Sequence, residues 1–136
     1  MNLDQIVVRE FMTTNVVTLR EHQSLRLASG RVFSQGLDEI AVVDGSGQFL
    51  GLVSQRDLAA AERSHILART SKGEPKKAAV LLDTLISRDV ETVSPSSSLR
   101  EVLSLVLAEN CTLIPVVEDV EFVGVVTMRG LLTLAV

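Results

Sequence analysis

The chain has 136 residues, a formal net charge of −4, 46% apolar residues, four Phe and neither Trp nor Tyr. This length suits one domain whose core needs no disulfide or metal, and the apolar content excludes disorder for most of it. The acidic balance and the lack of an aromatic stacking platform exclude the usual nucleic-acid binders.

No apolar run approaches the ~20 residues of a membrane span. Asp4 and Arg9-Glu10 interrupt the first apolar residues, so no signal peptide is expected. The single Cys111 can form no internal disulfide. Together these features point to a soluble, cytoplasmic protein of a reducing compartment.

Taken in order, residues 4–11 read as a short helix leading into Met12-Thr13-Thr14, and Val16 to Leu19 as a β-branched strand. Ser24 opens a helix with Leu25, Ala28 and Val32 on one face, and Gly36 closes it in a position that wants a left-handed residue. Ile40 to Val43 is a short buried strand, Asp44-Gly45-Ser46-Gly47 is turn chemistry, and Phe49 to Val53 is a partner strand. A helix follows, extended through residues 59–69. Residues 71–77 combine charge, Gly and Pro and read as a mobile linker. Ala78 to Ile86 then restarts a helix.

In the second half, Leu99, Val102, Leu103, Val106 and Leu107 follow helical spacing, with Ser98 and Glu101 as a capping box and Asn110 at the far end. Ile114 to Val117 and Phe122 to Val126 are strands before a last helix.

The second half repeats the first. Residues 14–44 match 88–118 at an offset of 74, with Val16/Val90, Ser24/Ser98, Val32/Val106 and Val42/Val116 among the identities. The offset shortens to 73 after the hairpin turn, giving Phe49/Phe122, Gly51/Gly124 and Arg56/Arg129. The expected fold is therefore α/β (α+β): two β-α-β-β-α repeats, 1–70 and 78–136, packed face to face by pseudo-two-fold symmetry. Helix faces left apolar after that packing predict a homodimer. Gly30 and its equivalent Ser104 are small enough for close helix approach at such an interface, or are simply tolerated.

The most informative stretch is Gly51-Leu52-Val53-Ser54-Gln55-Arg56-Asp57, copied as Gly124-Val125-Val126-Thr127-Met128-Arg129-Gly130. Strand, hydroxyl and helix N-terminus in succession form an anion site, and the Asp57 carboxylate could accept hydrogen bonds from a sugar diol. The same spacing is also S-x-x-D, a capping box that needs no ligand. Other chemistry is thin. His22 and His65 lie far apart with no metal spacing. Cys111 has no base placed by any motif and reads as a structural thiol. The Gly45-Ser46-Gly47 turn is too short for a phosphate loop. No catalytic constellation is visible, so an enzyme is not expected.

These doubled segments, with Phe11-Met12-Thr13, Ile40-Ala41-Val42-Val43-Asp44 and Ile114-Pro115-Val116-Val117, resemble a tandem pair of cystathionine-β-synthase (CBS) domains, a Bateman module, from about Val8 to Leu134. The resemblance implies a regulatory sensor of adenine ligands (AMP, ADP, ATP or S-adenosylmethionine) that signals to an unidentified effector protein and needs no cofactor. It implies sites in the cleft between the repeats.

In one site, ribose falls to Asp57, and Ser54 and Leu52 lie beside it. Arg56 is the phosphate partner or a solvated surface arginine, and adenine falls near Ile86, Val90, Cys111 and Thr112. A weaker second site would use Val16, Thr127 and Arg129, because Gly130 offers no ribose acceptor. Asp38 and Glu39 would repel phosphate there. The alternative is a CBS dimerisation scaffold that has lost its ligand.

Overall fold

The computed structural model describes residues 2–72 and 82–134. Its elements run β1 (Thr18–Arg20), α1 (Leu25–Gln35), β2 (Glu39–Val43), β3 (Phe49–Ser54), α2 (Gln55–Lys72), α3 (Leu99–Glu109), β4 (Leu113–Glu118), β5 (Glu121–Thr127) and α4 (Met128–Leu134). The mixed α and β content and the doubled order agree with the sequence reading. The compact units, however, cut across the repeats. One comprises Met1–Val16, Gly47–Phe49 and Glu91–Val136, and the other Val17–Ser46 and Leu50–Val90.

In the unit that holds the first repeat, the strand order is β1-β2-β3, with β1 parallel to β2 from Thr18↔Ala41 to Arg20↔Val43. Helix α1 starts where Ser24 Oγ accepts the Leu27 N–H at 3.3 Å, and it ends at Gly36 with φ 63°. Its Leu25, Ala28 and Val32 are buried with Leu19, Ile40, Val42, Val53, Leu58 and Leu82. One buried group sits poorly: the Ser29 hydroxyl has no hydrogen-bond partner among the described residues. Such a hydroxyl costs about 1–3 kcal/mol.

The other unit is built on the antiparallel β4–β5 hairpin, in register from Leu113↔Thr127 to Glu118↔Glu121 with an irregularity at Val116/Val117. Helix α3 is capped by Ser98, whose Oγ accepts from Glu101 N–H at 3.2 Å, and it closes at Asn110 with φ 50°. Its first two N–H groups are also satisfied: Leu99 donates to the Ile6 carbonyl at 2.8 Å and Arg100 to the Leu3 carbonyl at 3.1 Å. Val8, Val93, Leu99, Val102, Ile114, Val116, Val126 and Leu131 form this core. Within the same unit, residues 47–49 pair with 120–122. Phe49 N–H donates to Val120 O, Phe122 N–H donates to Gly47 O, and the Phe49 and Phe122 rings stack at 6.0 Å.

Several expectations are corrected. The leading helix over 4–11 is only a 3-10 turn at Val8–Glu10. Val8 and Arg9 give their N–H groups to the carbonyls of Ser97 and Pro95, at 2.8 and 2.9 Å, instead of to a preceding turn. The described part of the helix expected over 78–86 is likewise a 3-10 turn, Leu82–Leu85. The first strand begins at Thr18, not Val16. Its counterpart in the second repeat shrinks to one parallel bridge, Val93↔Val116. Leu107 is 85% exposed, because it lies about 80° round the helix from Leu99, at the margin of the apolar stripe. Of the expected linker 71–77, Ser71 and Lys72 end α2 and the rest lies outside the described residues.

Both sheets are finished the same way. Ser87 bridges antiparallel to Leu52, and Thr13 bridges antiparallel to Val125. Each crossing segment precedes one repeat and lies on the last strand of the other. The crossings explain the glycines. A Cβ on Gly124 would sit 2.6 Å from the Thr13 carbonyl oxygen, and one on Gly51 would overlap the Ser87 carbonyl, at a φ of +156° that disfavours side chains in any case. Because the obstruction is backbone, Gly124→Ala is expected to cost at least about 1–3 kcal/mol and to lower the melting temperature by several degrees. Thermal unfolding followed by circular dichroism checks this.

Candidate functional site

The two strand-to-helix turns are built by the same local chemistry. At the end of β3, Ser54 Oγ accepts the Asp57 N–H at 3.0 Å, and the Gln55 N–H donates to the Asp38 carbonyl at 2.8 Å. At the end of β5, Thr127 Oγ1 accepts the Gly130 N–H at 3.0 Å, and the Met128 N–H donates to the Thr112 carbonyl at 2.9 Å. Each helix start thus uses two of its first three N–H groups internally. In α2 only the Arg56 N–H is left, so this helix end is not the bare anion cradle that its sequence suggests.

The side chains differ. Asp57 is exposed, and its carboxylate has no hydrogen-bond or ion-pair partner among the described residues. The return half of a capping box, a carboxylate bonding back to the cap residue's N–H, is not made. Ser54 therefore carries the structural role, and Asp57 is available for another. In the other turn Gly130 offers no side chain at all.

Of the residues expected at the first site, Leu52, Ser54, Arg56, Asp57, Ile86 and Val90 all fall in the unit of β3. Leu52 is buried and tied to Ser87, its N–H donating at 3.0 Å and its carbonyl accepting at 2.8 Å. Ile86 is half-buried against that unit's core, Val90 is half-buried, and Arg56 is exposed. Cys111, Thr112, Val16, Thr127 and Arg129 fall in the other unit. There Cys111 packs half-buried against the core, in keeping with a structural thiol, while Thr112 and Arg129 are exposed. Sequence reasoning missed the carbonyls of Asp38 and Thr112 and the crossings at Ser87 and Thr13. A usable signal was present: Thr13 and Ser87 stand at the repeat offset of 74, just as Gly51 and Gly124 stand at 73.

Glu39, at the head of β2, is half-buried, and its pKa is raised above 4.5 by that burial first and by the neighbouring Asp38 second. A raised carboxyl pKa means the folded state holds the proton more tightly, so stability falls as pH rises from about 4.5 through the folded-state value. Glu39→Gln is expected to raise the melting temperature at pH 7, with the gain fading as pH drops below 4.5. A pair of pH-dependent melting curves measures it.

Comparison with known proteins places these features in a family. A CBS domain model matches residues 8–64 and 82–136. The chain is 29% identical over 128 residues to an A-adding tRNA nucleotidyltransferase of Aquifex aeolicus, covering 94% of this chain but only 14% of that enzyme. Other curated relatives are also spanned only in part, among them a homoserine O-acetyltransferase of Methanocorpusculum labreanum, at 24% of its length. Among solved structures, a Vibrio cholerae protein provisionally assigned to acetoin utilization (AcuB) is 30% identical, with a TM-score of 0.77, covering 96% of this chain and 90% of the other. CBSX2 in complex with AMP has the same TM-score at 23% identity, covering 96% of each chain. The two family matches, one on each repeat, and the shared fold lead to one conclusion: this chain belongs to the CBS domain family and is a tandem CBS pair.

Proposed function

We propose that this CBS pair is a sensor of an adenine-bearing small molecule, AMP, ADP, ATP or an S-adenosyl compound, that reports occupancy to a partner protein. One ligand binds per chain, on the Asp57 side. The observation that carries this is the uncommitted Asp57 carboxylate, held three residues past a helix cap that Ser54 already satisfies. A ribose presents two adjacent hydroxyl donors, which a free carboxylate can accept together. AMP in a structure of the same fold supports the ligand class. The chain needs no cofactor in this role and performs no catalysis. It acts in the cytoplasm, in keeping with its single Cys and the absence, among the described residues, of a helix able to cross a membrane.

Gly130 supports a second reading for half the module, a CBS scaffold without ligand. One experiment separates the two. Loss of a charged hydrogen bond costs roughly 1.5–3 kcal/mol, or about ten- to a hundredfold in affinity. Ligand at ~100 times its dissociation constant should stabilise the wild type by about 2.7 kcal/mol, several degrees in a thermal-shift assay with AMP, ATP and S-adenosylmethionine. At the same ligand concentration Asp57→Asn is expected to cut that gain to about 0.4–1.4 kcal/mol, half of the rise or less, and Thr127→Ala to leave it largely intact. A scaffold shows no rise with any of them.

The pair assembles as a homodimer through its helices. Helix α1 exposes Leu27 (63%) and Phe33 (45%), α3 exposes Leu107 (85%) and α4 exposes Leu132 (63%). These exposed apolar side chains support that reading to the extent that they form one contiguous patch. Sedimentation equilibrium in the micromolar range is expected to give a dimer, and Leu107→Glu to shift it toward monomer. A wild-type monomer at those concentrations overturns this assembly.

A further inference from the structure

We infer that the tip of the β4–β5 hairpin is a docking surface for a partner protein, one that presents an apolar side chain flanked by Lys or Arg. This surface uses none of the residues of the Asp57 turn and does not depend on an adenine ligand. Its apolar part is held together by pairing. Phe122 is the register partner of Val117. Its ring stacks on Phe49 at 6.0 Å, and the Phe49 N–H donates to the Val120 carbonyl at 3.0 Å. None of these four side chains joins either hydrophobic core of the described residues. Val120 is 58% exposed and the other three are half-buried. The cluster therefore lies at the surface of its unit, apart from the core.

The charge beside it has one sign. Glu118, Asp119 and Glu121 are exposed, and Glu118 and Glu121 are directly opposed in the hairpin register. Like charges so placed repel. Arg9 lies 3.7 Å from Glu118, but both side chains are more than half exposed, and such a pair contributes little. The Asp119 and Glu121 carboxylates have no partner among the described residues. Acidic residues also outnumber basic ones in this unit as a whole, so its field favours a cationic partner.

Folding alone gives no reason for such a tip. A two-residue hairpin turn favours Asn-Gly or Asp-Gly. The first repeat uses turn chemistry at the equivalent place, Asp44-Gly45-Ser46-Gly47, where Asp44 accepts the Ser46 N–H at 2.9 Å. Here Asp119 takes a φ of 59° without being glycine, and an exposed valine follows it. An apolar anchor with a carboxylate on each side has the anatomy of an interface, an apolar centre within a polar rim. The sign of the rim selects the partner: it attracts Lys and Arg and repels nucleic acid and anionic lipid.

Calorimetry on the full chain tests this with a synthetic peptide in which Leu sits between two Lys-Arg pairs. One control peptide replaces Leu by Ser, and the other replaces the basic residues by Glu. The wild type is expected to bind the parent peptide about tenfold more tightly than either control, or better, and more weakly as salt rises. Val120→Ser and Asp119→Asn should each weaken that binding about tenfold. Both should leave the melting temperature and the sedimentation behaviour of the free protein unchanged, since the side chains are exposed and Asn tolerates the left-handed conformation. Equal binding of the Ser control means a charge cluster only and overturns the docking surface, as does binding of none of the peptides. If Val120→Ser shifts sedimentation toward monomer, the surface belongs to a second copy of this chain and the partner assignment falls. None of these outcomes bears on the Asp57 site, which AMP binding reads separately.

Discussion

The structure depends on two places where one backbone crosses another with no room for a side chain between them. At Gly124 the obstruction is the Thr13 carbonyl, and at Gly51 it is the Ser87 carbonyl. Hydrogen bonds on both sides of each crossing hold it: Thr13 donates to Val125 at 2.8 Å and accepts from it at 2.9 Å. Once Thr13 is fixed there, the chain before it is placed as well. Ile6 and Leu3 then meet the first N–H groups of α3, and Val8 enters the core beneath that helix. A constraint on one glycine thus becomes the placement of a sheet edge, a helix start and a core residue.

The same constraint decides how legible the fold was. Local signals read well wherever the element satisfies itself. Ser24 and Ser98 cap their helices, Gly36 and Asn110 close them in left-handed geometry, and the apolar runs Ile40–Val43 and Ile114–Val117 are strands. They failed where a segment gives its hydrogen bonds to a distant part of the chain. Residues 4–11 have a helical pattern, but Val8 and Arg9 spend their N–H groups on Ser97 and Pro95. No local pattern encodes that exchange. The repeat does encode it indirectly, since the same crossing occurs twice at fixed offsets.

The candidate site was legible as a motif, and its chemistry was only partly so. G-h-h-[ST] locates the strand end and the capping hydroxyl in both repeats, and both caps form at 3.0 Å. The expectation of free N–H groups for an anion did not allow for Asp38 and Thr112, whose carbonyls take the first donor of each helix. A carbonyl acceptor has no side-chain signature, so sequence could not announce it. An anion at either helix end would therefore have to be held by side chains.

The second turn also answers whether Asp57 is structural. If a carboxylate at that position were needed to start the helix, α4 could not begin as α2 does. Yet Thr127 caps Gly130 at the distance at which Ser54 caps Asp57, and the first N–H finds an equivalent carbonyl in each, Asp38 in one and Thr112 in the other. Among the differences between the two helix starts, the charged one, Asp57 against Gly130, makes no bond within its own turn. A negative charge in the first turn of a helix gains about 0.3–1 kcal/mol from the dipole when exposed. That is a small return, and the helix at Gly130 forms without it. Folding alone therefore leaves the Asp57 carboxylate under-explained, whereas a ligand that brings hydroxyl donors to this turn would use it fully.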